Sequence, residues 1–182
     1  MLCTCGAAVN FLVNKNAVDD VHTAAPKVTI AEPQKLGGRA KIEQDKEYAP
    51  LLKALEKIED ELAARPGAKN SFGALYADPT GENTITVLAT EATIPNPRKE
   101  VTAMLAQQGV VTGVAPAATG TLGGVAECGS EPDPDGDPDR DVVVCGWADE
   151  GSAGMITWIS VDDNEARAEF PKLRAEIEKK NN

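Results

Sequence analysis

Two cysteines, Cys128 and Cys145, bracket the acidic segment Gly129-Ser-Glu-Pro-Asp-Pro-Asp-Gly-Asp-Pro-Asp-Arg-Asp141, and the second lies in the apolar run Val142-Val-Val-Cys-Gly-Trp147. A β-branched apolar run after a turn-rich loop reads as a strand, so the pair marks a hairpin that a disulfide staples. Such bridges persist in oxidising compartments and are rare in the cytosol, where thiols are kept reduced. The expected address is therefore outside the cytoplasm. Between Glu131 and Asp141 there are six carboxylates against Arg140. Glu131, Asp133, Asp135, Asp137 and Asp139 alternate along the loop, with Gly136 in the sixth place from Glu131, which echoes the oxygen-ligand spacing of a calcium loop. The twelfth place is Val142 and not a bidentate Glu, and prolines alternate with the acids. A solvated acidic tip that resists edge pairing therefore fits these residues better than a calcium site.

The formal charge of −11 and pI near 4.6 exclude nucleic acid as a partner, because binding the phosphate backbone needs clustered Lys and Arg. They exclude adsorption to anionic lipid headgroups for the same reason. A length of 182 residues favours one domain with an appendage. Residues 1–13 are apolar but shorter than the roughly 20 residues that cross a bilayer, and they lack the basic opening of a signal peptide. The expectation is the remnant of a membrane anchor, the chain's one link to a membrane. Residues 14–45 show no sustained period and carry Pro26, Pro33, Gly37 and Gly38, so they read as a spacer with one short strand at Lys27-Val-Thr-Ile30.

Residues 46–182 read as the folded domain. Tyr48, Leu51, Leu52, Leu55, Ile58 and Leu62 recur at helical spacing, and Pro66-Gly67 ends that helix. Ser71–Ala77 and Thr84–Ala89 read as a hairpin around Asp78-Pro-Thr-Gly-Glu-Asn83. Asn96-Pro97 supplies an N-cap and a first-turn proline for a short helix with Val101, Met104 and Leu105 on its apolar side. Val110–Val114, Leu122–Cys128, Val142–Trp147 and Met155–Val161 are the remaining strands, the last two forming a second hairpin. A terminal helix opens at Asp162-Asp163 with Ala166, Phe170, Leu173 and Ile177 inward, bent at Pro171. The expected fold is α+β, an antiparallel sheet of five or six strands packed with three helices, with Leu55, Ile58, Val87, Val143 and Phe170 in its core.

The leading apolar fragment, the segment Pro33-Gln-Lys-Leu-Gly-Gly38, the strand Phe72-Gly-Ala-Leu-Tyr76, and Gly123-Gly-Val-Ala-Glu-Cys128 followed by Val144-Cys-Gly-Trp-Ala-Asp149 together resemble actinobacterial single-pass membrane-anchored proteins. The similarity covers nearly the whole chain, and the cysteine pair is its most specific motif. It implies one transmembrane helix and an extracytoplasmic α+β domain, and it brings no activity. Many of those proteins have His at the position of Glu150, where this chain departs from them.

Catalytic patterns are sparse. The sole histidine, His22, falls in the spacer, away from any Ser, Cys or Asp partner in the domain. Cys3 and Cys5 with Cys128 and Cys145 lack the two close pairs of a structural zinc site. Trp147, Asp149 and Glu150 are the candidate binding residues, and the two acids are the candidates for acid-base chemistry. Two functions remain: an envelope-facing module that binds a partner protein or ligand, or a carboxylate-dependent hydrolase of envelope material. The first is favoured because no nucleophile and base stand together.

Overall fold

A computed structural model describes residues 28–81, 83–109, 111–131, 141–159 and 161–180. The apolar fragment 1–13, the spacer up to residue 27 with His22, and the loop 132–140 lie outside the described residues. The fold is α+β. In chain order the elements are β1 (Val28–Ile30), β2 (Lys35–Leu36), β3 (Arg39–Lys41), α1 (Ala49–Ala63), β4 (Asn70–Ala77), β5 (Thr84–Glu91), α2 (Pro97–Gln107), β6 (Thr112–Pro116), β7 (Val125–Glu131), β8 (Val142–Ala148), β9 (Ser152–Ile159), α3 (Asp163–Ile177) and β10 (Glu178–Lys180). Eight strands form one antiparallel sheet in the order β2-β3-β4-β5-β9-β8-β7-β6, and β1 pairs with β10 as a separate ribbon. Among the described residues no helix is long and apolar enough to cross a membrane.

The sheet is larger than five or six strands because the expected spacer is not all spacer. Val28–Ile30 is a strand, as the sequence indicates, and β2 and β3 extend the sheet from the same region. Leu36 and Arg39 are buried there, and Ile30 joins the main core. The folded unit therefore starts at or before Val28 and not at residue 46. Strands of two or three residues around Gly37-Gly38 are too short to display a period of two, so their sequence resembles a linker.

Three layers result. On one face α3 places Ala166, Phe170, Leu173 and Ile177 against Tyr76, Val87, Val143, Cys145, Trp147 and Trp158. On the other, α2 packs Val101, Met104 and Leu105 on Val144, Ala148 and Met155. The alternation along β8 explains both: Val143, Cys145 and Trp147 face α3, while Val144 and Ala148 face α2. Such a two-sided strand reads as a continuous apolar run. The α2 start is as expected, with Asn96 Oδ1 accepting from the Lys99 amide at 3.0 Å and Pro97 in the first turn. Asp162 caps α3 by accepting from the Asn164 and Glu165 amides, and the helix runs on through Pro171.

Leu55, Val87, Val143 and Phe170 are buried, whereas Ile58 is only half-buried on the wall of a cleft between α1 and α2. Phe170→Ala should cost about 3–5 kcal/mol and Ile58→Ala well below that range, read from urea unfolding midpoints. A chain beginning at Pro26 should melt like the full protein. One beginning at Lys46 loses Ile30, Leu36 and Arg39, and its melting midpoint should fall sharply or its cooperative transition vanish.

Candidate functional site

Cys128 of β7 stands directly opposite Cys145 of β8, with Cα atoms 4.0 Å apart and an S–S bond of 2.00 Å. Both residues are fully buried within the α3-side core. The bridge therefore lies beneath a helix and not at the hairpin tip, where solvent reductants reach it only after the core opens. The acidic segment joins the end of β7 to the start of β8 in sequence. Glu131, the exposed last residue of β7, opens the loop, while Asp133, Asp135, Asp137 and Asp139 lie outside the described residues. Among the described residues, no three His, Cys, Asp or Glu side chains are grouped to hold a metal ion.

The three candidate binding residues part company. Trp147 is fully buried, its ring tilted against Phe170 at 6.2 Å between centroids and covered by the Arg174 guanidinium at 5.7 Å. An added Cβ at Gly154 would strike the Trp147 six-membered ring, so glycine there is what lets the indole lie across β9. Asp149 follows β8 and organises its turn into β9: Oδ1 accepts from the amides of Gly151 and Ser152, both at 2.8 Å. Its Oδ2 lies 3.6 Å from Arg174 Nη2. Glu150 is exposed at the turn tip and does not join the other two.

What brings Trp147 and Asp149 together is a charged pair that sequence reasoning missed. Arg174 Nε donates to Glu178 Oε2 at 2.9 Å, Nη2 to Oε1 at 3.2 Å, and Nη1 to the Gly123 carbonyl at 2.8 Å. Both side chains are fully buried. Burial pushes the Glu178 carboxyl above its ordinary range; Arg174 pulls it back and Asp149 adds to the rise. The Gly123 carbonyl is brought in by Gly124, whose φ of +81° and close approach to the Ala148 carbonyl, 2.5 Å from an added Cβ, leave no room for a side chain. A signal for the pair did exist: Phe170, Arg174 and Glu178 follow one another at steps of four, placing two charges in line with a core phenylalanine.

A second, partly buried cluster forms at Glu169, midway along α3. Arg39 of β3 makes a two-pronged contact with Glu169, Nη1 to Oε1 at 2.8 Å and Nη2 to Oε2 at 3.0 Å. Its Nε and Nη2 also donate to Asn83 Oδ1 at 2.9 and 2.7 Å, and Trp158 Nε1 donates to Glu169 Oε2 at 2.9 Å. Each tryptophan of the chain thus lies beside an arginine–glutamate pair under α3.

Two clefts stand out among the described residues, and neither has Asp149 or Glu150 in its wall. The first, between α1 and α2, is lined by Ile58, Leu62, Leu88, Met104 and Met155 and encloses only about 30 Å³, room for one water molecule. The second is a wide depression of about 560 Å³ where Lys35, Asp45, Tyr48 and the β4–β5 turn meet. Asp78 in that turn loses some hydration, yet bonds from the Thr80 hydroxyl and from the Asn83, Gly81 and Thr80 amides hold its carboxyl below the usual range. It is a turn-building carboxylate, ionised at neutral pH, and unsuited to act as a general acid.

Replacing both cysteines by Ala removes the bridge over a sequence separation of 17 residues and should cost roughly 3 kcal/mol, measured by urea unfolding. Part of that loss should vanish in high salt, where the loop carboxylates are screened. In the native, unreduced protein neither Cys128 nor Cys145 should take up an alkylating reagent. Compared with known proteins, the chain matches no family model, no curated protein and no solved structure, so its function rests on the geometry above.

Proposed function

We propose that this domain faces the outside of the cytoplasm, held to the membrane through residues before Val28, and that it binds a partner protein or ligand of the cell envelope without catalysing a reaction. The observation that carries the address is the Cys128–Cys145 bridge, fully buried between β7 and β8. A thiol pair in that position made in a reducing compartment stays reduced, and the core is built around the bonded form. The resemblance to membrane-anchored actinobacterial proteins points the same way.

The hydrolase reading draws less support. Such chemistry needs two carboxylates flanking an open groove. Asp149 is occupied in its turn and faces Arg174, Glu178 is buried beneath α3, and Glu150 stands alone on an exposed turn. The surface, in contrast, suits recognition by charge. Val114 is the one exposed large hydrophobic residue among those described, and the whole chain carries −11. An acidic surface with little exposed apolar area selects partners that are basic or rich in hydrogen-bond donors, and steers them by long-range attraction.

Alkaline phosphatase fused after Asn182 should be active in cells, because that enzyme folds only in an oxidising compartment, and protease added to spheroplasts should digest the fusion. An inactive fusion with both cysteines reduced in cells would sink the proposal.

A further inference from the structure

The Arg174 guanidinium serves two carboxylates where water scarcely reaches. The side chains of Arg174 and Glu178 are fully buried, and that of Asp149 is 12% exposed. With both carboxyls ionised, one cation faces two anions, and the surplus negative charge lies in the core beside Trp147. Burying an unneutralised charge is unfavourable, and taking up a proton relieves it. Asp149 Oδ2 shows where that proton goes. This oxygen is buried with no hydrogen-bond donor, and it meets the Glu178 carboxyl at one nitrogen: Arg174 Nη2 lies 3.6 Å from Asp149 Oδ2 and 3.2 Å from Glu178 Oε1.

Glu178 is also the first residue of β10. It pairs with Ile30 of β1, and the next β1-side amide, Ala31 N–H, donates to the Ile177 carbonyl at 3.0 Å. The β1–β10 ribbon holds the first of the described residues, Val28–Ile30. We propose that Glu178 holds a proton directed at Asp149 Oδ2, and that losing it to solvent as pH rises loosens the β1–β10 ribbon, so that β1 is held more firmly in acid. With the proton present, the Glu178 O–H donates to Asp149 Oδ2 while Arg174 still donates to the Glu178 oxygens. Without it, two carboxylates repel at the point where β10 begins. The charged groups around the pair are Arg174 from α3, Asp149 from the β8–β9 turn and Lys180 of β10, whose Nζ lies near Gly123; β1 brings only Val28, Thr29 and Ile30. The sign is fixed by linkage. A carboxyl raised in the folded state above its ordinary 4.5 contributes stability that is complete below that value and lost as pH climbs through the raised one.

The test uses the full chain, with carboxyl carbons followed by NMR from about pH 3 to about pH 8 and amide hydrogen exchange at Ala31 corrected for its intrinsic pH dependence. Glu178 should take up its proton with a midpoint above 4.5. Opening of the Ala31 amide should become more frequent as pH rises from 4.5 to neutrality. Glu178→Gln should leave that opening independent of pH. Should this variant fail to fold, Asp149→Asn serves instead and should move the Glu178 midpoint down. A Glu178 carboxyl that titrates below 4.5, a pH-independent opening in the wild type, or a Glu178→Gln variant that keeps the wild-type pH dependence would each overturn the proposal.

Discussion

Helix α3 covers one face of an eight-stranded sheet with only fifteen residues, and every charge it buries must be neutralised where it lies. It does so at two points. Glu169 receives Arg39 from β3 near one edge of the sheet, and Arg174 meets Glu178, Asp149 and the Gly123 carbonyl toward the other. Between them Phe170, Leu173 and Ile177 fill the hydrophobic seam. Hydrophobic contact alone is non-directional and would let a helix slide or turn on a sheet. The two ion pairs together permit a single placement, because shifting the helix by one turn takes Glu169 away from Arg39, and takes Arg174 together with Glu178 away from Asp149 and the Gly123 carbonyl. Removing one partner of such a pair typically costs about 3–5 kcal/mol, more than the pair itself contributes.

An open sheet of this size has two edges to protect. At one, β2 is only two residues long, too short to template another chain. At the other, β6 is exposed along its length but carries an irregular register between Thr112 and Ala115 and ends at Pro116. A bulge and a proline both disrupt the row of amides that an incoming strand needs. Arg167 further occupies the Gly113 carbonyl and the Cys128 carbonyl. Val114 therefore stands on an edge that discourages strand addition, which favours side-chain recognition over extension of the sheet.

Much of this was legible in the sequence, and the exceptions share a physical cause. The helices announced themselves through period and caps, as at Asn96-Pro97 and Asp162, because those signals are local. The hairpins of β4–β5 and β8–β9 were visible for the same reason. Illegible were β2 and β3, whose order comes from residues far along the chain: Arg39 is buried only because Glu169, 130 positions away, is there to receive it. Arg174 and Glu178 were hidden differently. Their spacing from Phe170 was readable, but charged residues are so rarely fully buried that a solvated helix edge was the natural interpretation. Trp147 reads as a candidate binding residue because it stands beside two acids at the end of a strand. Only the placement of α3 turned it inward.

The stretch Cys145-Gly-Trp-Ala-Asp149 ties these features to one another. Cys145, Trp147 and Asp149 fall at steps of two, so a single strand direction delivers the disulfide, the buried indole and the turn-forming carboxylate toward α3. Gly146 and Ala148 point the other way and are small because α2 crosses there, with the Met104 and Val101 side chains 3.6 Å from where a Gly146 Cβ would sit. The bridge fixes β8 to β7, and Asp149 fixes its end to β9 and to Arg174. A one-residue slip of β8 would expose Trp147 to α2, bring Cys145 out of reach of Cys128 and remove Asp149 from Arg174 at once. Register on this strand is therefore held by three chemically different contacts, and the carboxylate end is the one whose strength changes with pH.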